Sequence, residues 1–219
     1  MKDNFIHIAF IIDRSGSMYG SESDVKGGFA RVINEQKVNN IGQCAVSLYQ
    51  FDDAITKYFI GKDINEVDAN LDYHLGGCTA MNDAIGMAIT EIGKWLSDMP
   101  EEERPCKNMI VIMTDGEENA SKEYTLYQVK SMIEEQTNKY SWEFVYMGTD
   151  ITNTKDVDNL GISSRVFATK GDHINHYDLI NSTVTNYRSM DVNMAKAVFT
   201  SCVADMNAEY CSKTGLNLS

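Results

Sequence analysis

Positive charge is scarce in this sequence, and the shortage limits the partners that the protein can have. The 219 residues include 19 lysine and arginine residues against 32 aspartate and glutamate residues, which gives a formal net charge of -13 at pH 7. A field of this sign repels the phosphate backbone of nucleic acids and the anionic surface of membranes. The sequence also has no apolar run long enough to span a bilayer. We therefore expect neither nucleic acid nor a membrane as a partner.

Cysteine pairs of the Cys-x-x-Cys type are missing as well. The chain has an odd number of cysteines, and they are Cys44, Cys78, Cys106, Cys202 and Cys211. This pattern favours buried free thiols in a reducing compartment over a disulfide framework. The amino terminus becomes charged too early for a signal peptide. Both observations predict a cytoplasmic location.

One apolar run and the polar motif behind it organise the chain. The run from Phe5 to Ile12 is rich in isoleucine and ends in an acid and a glycine. It predicts a buried parallel strand whose polar end lies at the carboxyl edge of a sheet, where open α/β sheets bind ligands. Asp13, Ser15 and Ser17 alternate behind the strand, so their side chains can place three oxygens around one point.

Strand-like and helix-like patterns alternate along the rest of the sheet domain. Two strand-like runs, 44–51 and 54–60, are separated only by Asp52 and Asp53, which predicts an antiparallel hairpin with its second strand at the sheet edge. Further strands are predicted at 109–114, 142–148 and 165–168, and helices at about 22–39, 64–71, 84–96, 125–138 and 155–160. Capping boxes are predicted at Ser21 and Thr125. Crossovers of helical length predict an α/β fold, a doubly wound and mostly parallel sheet of six strands with helices on both faces.

The chain beyond residue 172 predicts helix without a recognisable motif. Apolar side chains recur there at helical spacing (Ile174, Tyr177, Ile180, Val184 and Tyr187). Such a stripe must be buried, either on the sheet domain or in a dimer, so a homo-oligomer is compatible with the sequence. We therefore divide the chain into a sheet domain, residues 1–171, and a C-terminal helical extension, residues 172–219.

Two later positions add oxygens to the edge where the first strand ends. Thr79 follows a glycine pair, and Asp115 ends a later buried strand. The predicted metal ligands are then Asp13, Ser15, Ser17, Thr79 and Asp115. This all-oxygen set suits Mg2+, with Ca2+ or Mn2+ as alternatives, and is poor for zinc or copper. The alternative interpretation is that the serines cap turns and that the later aspartate caps a helix.

Three motifs together resemble a known family. They are residues 13–18, 76–84 and 111–116, and they are similar to those of the von Willebrand factor type A (vWA) domain with its metal-ion-dependent adhesion site (MIDAS). The resemblance covers about residues 5–168 and implies a Rossmann-like sheet with one antiparallel edge strand. Stand-alone bacterial and phage-type members, which are typically intracellular, look closer than other members. Many members have a tyrosine or proline near the threonine, where this chain has residues 78–82.

The resemblance also implies roles for the predicted ligands. In that family the two serines and the threonine of the motif, here Ser15, Ser17 and Thr79, bind the metal directly. The two aspartates, here Asp13 and Asp115, contact it directly or through water. An aspartate or glutamate of a partner protein commonly completes the coordination. We therefore expect a metal-dependent protein-binding module whose protein partner supplies that carboxylate.

Enzyme classes fit the sequence less well, so we expect no catalytic activity. An Asp-x-Asp phosphatase would use Asp13 as the nucleophile, but Ser15 stands where its acid should be. A serine hydrolase needs a Gly-x-Ser-x-Gly elbow with a histidine, and no histidine lies in such a context (His7, His74, His173 and His176). No phosphate-binding glycine loop follows a strand. The alternatives that stay open are a magnesium-dependent phosphoester hydrolase and a structural scaffold whose metal site is not used.

Overall fold

In the part of the chain that the structure describes, six strands form one sheet with the spatial order β3-β2-β1-β4-β5-β6. The computed structural model of the chain describes residues 1–39, 41–148, 155–162 and 164–167, together with 181, 184, 185 and 187–189. The strands are β1 (Lys2–Asp13), β2 (Gln43–Phe51), β3 (Ile55–Asp63), β4 (Pro105–Met113), β5 (Glu143–Gly148) and β6 (Ser164–Phe167). All neighbouring pairs are parallel except β2 with the edge strand β3. The predicted α/β fold with one antiparallel edge strand is confirmed.

Helices follow β1, β3, β4 and β5 and cover both faces of the sheet. They are α1 (Glu22–Val38), α2 (Met81–Ser97), α3 (Leu126–Tyr140) and α4 (Lys155–Leu160). Strand β1 is buried on both sides because its alternate residues point to opposite faces. Phe10 packs with Phe29 of α1 in one core, and Ile11 lies with Ile85 of α2 in the other. The unbroken apolar run of β1 is therefore explained by burial in two hydrophobic cores.

The hairpin between β2 and β3 is closed by an aspartate. The Asp52 backbone N–H donates to the carbonyl of Ala54 at 3.1 Å, and its side-chain Oδ1 accepts from the Ala54 N–H at 2.8 Å. This local pairing makes the link short enough to keep the two strands adjacent. The hairpin places Asp52 and Asp53 at the same edge of the sheet as the end of β1, since Asp13 pairs with Phe51.

Three local predictions are wrong. The segment behind β1 that carries Asp13, Ser15 and Ser17 is not extended throughout, because Gly16–Met18 forms a 3-10 turn. The segment 64–71 is not a helix beyond one 3-10 turn, Ile64–Glu66, because extended backbone at Val67 ends it. Ser21 stands at the start of α1 but makes no side-chain capping bond, and its backbone lies outside the extended region that such caps use. The capping box of α3 is confirmed, since Thr125 Oγ1 accepts from the Gln128 N–H at 3.3 Å and Gln128 Oε1 accepts from the Thr125 N–H at 2.8 Å.

Part of the C-terminal extension contacts the sheet domain at the end of α1. Val184 and Tyr187 are helical and buried, and they join the hydrophobic core on the α1 side. The Arg188 guanidinium donates to the carbonyls of Gln36 at 2.9 Å, Ile41 at 3.0 Å and Gly42 at 3.2 Å. The rest of the predicted apolar stripe (Ile174, Tyr177 and Ile180) lies outside the described residues, and the boundary at residue 171 stays a prediction. Within the described part of the chain, no helix combines the length and the apolar character needed to cross a membrane.

Candidate metal site

The loop after β1 holds its aspartate in a fixed position. Asp13 Oδ1 accepts from the Ser15 N–H at 2.7 Å, and Oδ2 accepts from the Thr114 hydroxyl at 2.5 Å. The Tyr73 hydroxyl donates to the Asp13 carbonyl at 2.5 Å. Burial raises the pKa of the Asp13 carboxyl, while the bonds from Thr114 and Ser15 lower it. Asp13 is therefore buried and oriented before any ion is present.

Three of the predicted ligands face one point beside Gly116. A Cβ atom built on this glycine would lie 2.8 Å from Thr79 Oγ1, 2.9 Å from Ser17 Oγ and 3.4 Å from Asp13 Oδ2. The Ser15 hydroxyl lies 2.9 Å from that of Ser17, so it belongs to the same group of oxygens. Any side chain at position 116 would enter the space that these oxygens surround. Glycine leaves this space free, and the space is a cradle lined by oxygen.

Asp115 lies directly before that glycine, at the end of β4. Its side chain is half-buried, and its charge adds to burial in raising the pKa of Asp13. The structure thus brings all the sequence-predicted ligands to one edge of the sheet. Their role as ligands stays a prediction.

The donor set fits a hard divalent cation. It contains hydroxyls and carboxylates only, and such cations bind oxygen ligands of this kind. In the described part of the chain, no group of three or more histidine, cysteine, aspartate or glutamate side chains is placed to hold a metal. The predicted ligand set does not form such a group, since only two of its five residues are carboxylates.

A segment after β4, residues 118–124, holds the loop that carries Thr79, and we call it the clamp. The Thr79 N–H donates to Asn119 Oδ1 at 2.9 Å, and the Thr79 carbonyl accepts from the N–H groups of Asn119 at 3.0 Å and Ala120 at 3.2 Å. Both backbone polar groups of Thr79 are therefore bound to the clamp. This fixes the position from which the Thr79 hydroxyl projects.

The clamp also caps the start of α2. Position 80 is an alanine without a capping side chain, and Glu118 Oε2 accepts from the Asn82 N–H at 2.8 Å instead. In return, the Asp83 carboxylate accepts from the N–H groups of residues 122, 123 and 124 at 2.7, 2.9 and 2.7 Å. Each segment thus satisfies the backbone donors of the other. The sequence interpretation missed these positioning residues, although the missing cap before α2 was a signal that another segment supplies it.

A second loop lies against the start of the site. The Gly16 N–H donates to the Gly77 carbonyl at 3.2 Å, and the Gly76 N–H donates to the Arg14 carbonyl at 2.9 Å. Gly77 has a φ of +64°, and a Cβ there would lie 2.0 Å from Asp53 Oδ1. The conformation and the close approach both require glycine. The hairpin acid and the glycine turn therefore meet beside the oxygen-lined cradle.

The described histidines are occupied elsewhere. His7 Nε2 lies 2.7 Å from Ser47 Oγ, and complete burial lowers the pKa of His7 to about 3. His74 Nε2 lies 2.9 Å from Asp72 Oδ1 at the surface. Neither histidine forms a hydrogen bond to Ser15 or Ser17 among the contacts of the described residues. His173 and His176 lie outside the described residues.

The fold and the site together define the class of protein. A mostly parallel α/β sheet carries an oxygen-lined site at its carboxyl edge, as in domains that bind a divalent cation through hydroxyls and carboxylates. The sequence profile of the von Willebrand factor type A domain matches residues 7–195. The chain belongs to this family, as its motifs predicted. The match extends beyond residue 168, where the resemblance in the motifs ends. No curated protein matches the sequence significantly.

Solved structures with the same fold come from animals and bacteria. Proximal thread matrix protein 1 from the mussel byssus, with a zinc-occupied MIDAS motif, is 20% identical with a TM-score of 0.59 and covers 86% of this chain and 47% of its own. The PilB minor pilin of Streptococcus sanguinis is 12% identical with a TM-score of 0.58, and the match covers 82% of this chain and 61% of the pilin chain. The vWF domain of the type V pili tip protein Mfa5 from Porphyromonas gingivalis is 11% identical with a TM-score of 0.59, and the match covers 82% of this chain and 94% of that domain's chain.

These likenesses show the fold. The chain spans about half the length of the mussel protein and less than two thirds of the pilin. What those proteins assemble with is said of those proteins alone. The comparisons agree with the family assignment and with the topology of the sheet.

Proposed function

We propose that this chain is a metal-dependent protein-binding module, in which a divalent cation links the carboxyl edge of the sheet to a carboxylate of a protein partner. The observation that carries the proposal is the convergence of Ser17 Oγ, Thr79 Oγ1 and Asp13 Oδ2 beside Gly116. Membership of the vWA family supports it. The zinc-occupied MIDAS of the mussel protein supports a metal at the equivalent motif.

The proposed ligands favour a cation that accepts an additional anion. Ser15, Ser17 and Thr79 would hold the cation by neutral oxygens, and Asp13 and Asp115 would supply the protein's negative charge. With at most two carboxylates, the protein offsets little of the ion's charge, so an anionic ligand gains more from binding it. Ser17 is exposed whereas Ser15 and Thr79 are buried, so the partner would approach on the Ser17 side.

A binding role is favoured over catalysis by the state of Asp13. A nucleophilic carboxylate needs access to its substrate, but Asp13 is buried and both of its oxygens accept hydrogen bonds. Among the residues that the structure describes, no histidine is hydrogen-bonded to a serine of the motif, as an activating base would be. We therefore infer that the module is not an enzyme. The cytoplasmic location stays a prediction from the cysteines.

Metal titration tests the first half of the proposal. We expect calorimetry to give weak Mg2+ binding that needs millimolar concentrations, because the site has few charges. Ser17→Ala and Thr79→Ala should each weaken it at least tenfold. Ser97→Ala, at the far end of α2, is the matched control and should bind as the parent does. Equal affinities in all variants would contradict the site, and a clear preference for zinc would replace magnesium as the metal.

Partner capture tests the second half. A pull-down from the native host should retain a protein in Mg2+ and release it in chelator, and Ser17→Ala should lose it while circular dichroism stays native. Adding charge with Ser15→Asp should also weaken capture, because the ion becomes a poorer acceptor for an anion. A hydrolase would instead turn over p-nitrophenyl phosphate with Mg2+, and a scaffold would keep its neighbours in chelator. Either of these results would contradict the binding module.

A further inference from the structure

The exposed surface around the cradle carries an excess of acids. We define the rim as the residues of four described loops, 13–21, 52–54, 72–80 and 114–125. Beyond the two predicted ligand aspartates, its acidic residues are Asp52, Asp53, Asp72, Glu117, Glu118 and Glu123. Its lysine and arginine residues are Arg14 and Lys122. The rim is therefore strongly negative.

The arginine of the rim does not offset this excess. Arg14 Nε lies 3.0 Å from Asp52 Oδ2, with side chains only 20% and 14% exposed, and a second guanidinium nitrogen donates to Thr56 Oγ1 at 3.3 Å. The positive charge of Arg14 is therefore paired with Asp52 of the hairpin. Asp53, Glu117 and Glu123 are exposed, and the cationic residue beside them is Lys122. A bound divalent cation would reduce the negative charge of the rim without reversing it.

Two exposed aromatic side chains lie at the same edge. Tyr19 is 79% exposed and follows the motif serine Ser17 by two positions, and Tyr127 is 81% exposed in the first turn of α3. Because α3 runs back from the carboxyl edge of β4, its first turn lies at the edge that carries the site. Tyrosines are enriched at protein interfaces, and their rings attract lysine and arginine side chains.

We propose that the partner of this site is a basic protein segment, in which one aspartate or glutamate is flanked by lysine or arginine. This rests on the proposed metal-bridged function. The central carboxylate would bind the metal ion, and the flanking lysine or arginine side chains would meet the acidic rim and the exposed Tyr19 and Tyr127. An isolated or acid-flanked carboxylate is repelled by the rim over distances of about 10 Å, the range in which exposed charges interact at moderate salt.

Synthetic peptides test this directly. Three fluorescent nonapeptides share a central aspartate and differ in the two residues on each side of it. These flanking residues are lysines in the first peptide, serines in the second and glutamates in the third. A fourth keeps the lysines but has a central asparagine. Fluorescence anisotropy in Mg2+ at low salt should show the highest affinity for the lysine-flanked peptide, then the serine-flanked peptide and then the glutamate-flanked peptide. The affinities of the lysine-flanked and serine-flanked peptides should differ by about tenfold or more. Higher salt should narrow that difference, because the rim acts over a distance.

Charge reversal provides the matched control on the protein. Glu117→Lys and Glu123→Lys in the rim should remove most of the advantage of the lysine-flanked peptide. Glu101→Lys and Glu102→Lys change the net charge equally, but their turn precedes β4 and lies at the opposite edge of the sheet. They should leave the ranking unchanged. Equal effects of the two pairs would mean that only net charge acts, and the rim would lose its role.

The outcomes separate the two proposals. If the aspartate peptides bind in a Mg2+-dependent way but lysine gives no advantage over serine, the basic partner is wrong and the metal-bridged function stands. If the asparagine peptide binds as tightly as its aspartate counterpart, or chelator has no effect, the metal-bridged function is wrong. Failure of all four peptides to bind at millimolar concentration would count against both.

Discussion

Replacing Glu118 by glutamine tests whether the clamp stabilises the loops of the site. Each carboxylate oxygen of Glu118 accepts two hydrogen bonds. Oε1 accepts from the N–H groups of Ala120 and Ser121 at 3.0 and 2.8 Å. Oε2 accepts from the Asn82 N–H and the Ser121 hydroxyl at 2.8 and 2.7 Å. Glutamine has the same shape, but its amide nitrogen cannot accept. In either orientation of the amide, two donors therefore lose their acceptor.

The expected loss follows from those two bonds. A hydrogen bond contributes about 0.5 to 1.5 kcal/mol, and somewhat more when one group is charged. Because Glu118 is half-buried, water replaces part of the loss, and we expect the free energy of unfolding to fall by about 2 kcal/mol. The Mg2+ affinity should fall as well, since Asn119 in the same clamp holds Thr79 on both sides.

Urea unfolding, followed by the fluorescence of the buried Trp142, measures this loss. Glu117→Gln is the matched control, since it removes the same charge one position earlier from an exposed side chain, and it should change the free energy of unfolding by less than about 0.5 kcal/mol. Equal midpoints for the two variants would refute the reasoning, because they would mean that the four bonds of Glu118 do not stabilise the fold.

Three further predictions concern space, pH and the C-terminal extension. Gly116→Ala should lower the Mg2+ affinity at least tenfold in calorimetry with a native circular dichroism spectrum, since its Cβ enters the cradle; unchanged affinity would place the metal elsewhere. The pKa of His7 is lowered from 6.5 to about 3 in the folded protein, so between these values only the unfolded chain binds a proton at this side chain. This part of the free energy of unfolding should therefore fall by about 2 kcal/mol from pH 7 to pH 5. His7→Gln should lose this part of the pH dependence, and an unaltered slope would contradict it. Arg188→Met should lower the free energy of unfolding by about 2 to 4 kcal/mol in urea, because the buried carbonyl of Gln36 in α1 and the partly buried carbonyl of Ile41 behind it lose their donor. No change would mean that the extension is not docked there.

The sheet could be predicted because its signals are local. A strand buried on both faces needs an unbroken apolar run, and β1 has one. The link of Asp52 and Asp53 is too short for a crossover, so the antiparallel edge was determined by chain length alone. The segment 64–71 was misjudged because apolar residues at a suitable spacing also occur in an extended connection, where Ile64, Val67 and Leu71 are buried under α1.

The residues that line the site could be predicted from the sequence, but the residues that hold them in place could not. Asp13, Ser15 and Ser17 share one loop, and it brings the two hydroxyls within 2.9 Å by a 3-10 turn, Gly16–Met18, where an extended segment was expected. The bonds of the clamp join residues 36 to 41 positions apart, and no local period reveals such pairs. Glu118 and Asp83 look like ordinary surface acids in the sequence. Only the folded chain shows that they cap each other's segments.

The hydrogen bond between the Thr114 hydroxyl and Asp13 joins positions 101 residues apart. During synthesis, the motif of the first strand therefore exists long before the strand that completes its surroundings. A growing chain that has not yet placed β4 beside β1 has neither this bond nor Gly116 and Asp115 at the edge. Under the proposed function, the chain would therefore gain the ability to capture an ion only when residues 114–116 are in place. Copies that end before these residues would be unable to compete for the proposed partner, although they carry the complete Asp13, Ser15 and Ser17 motif.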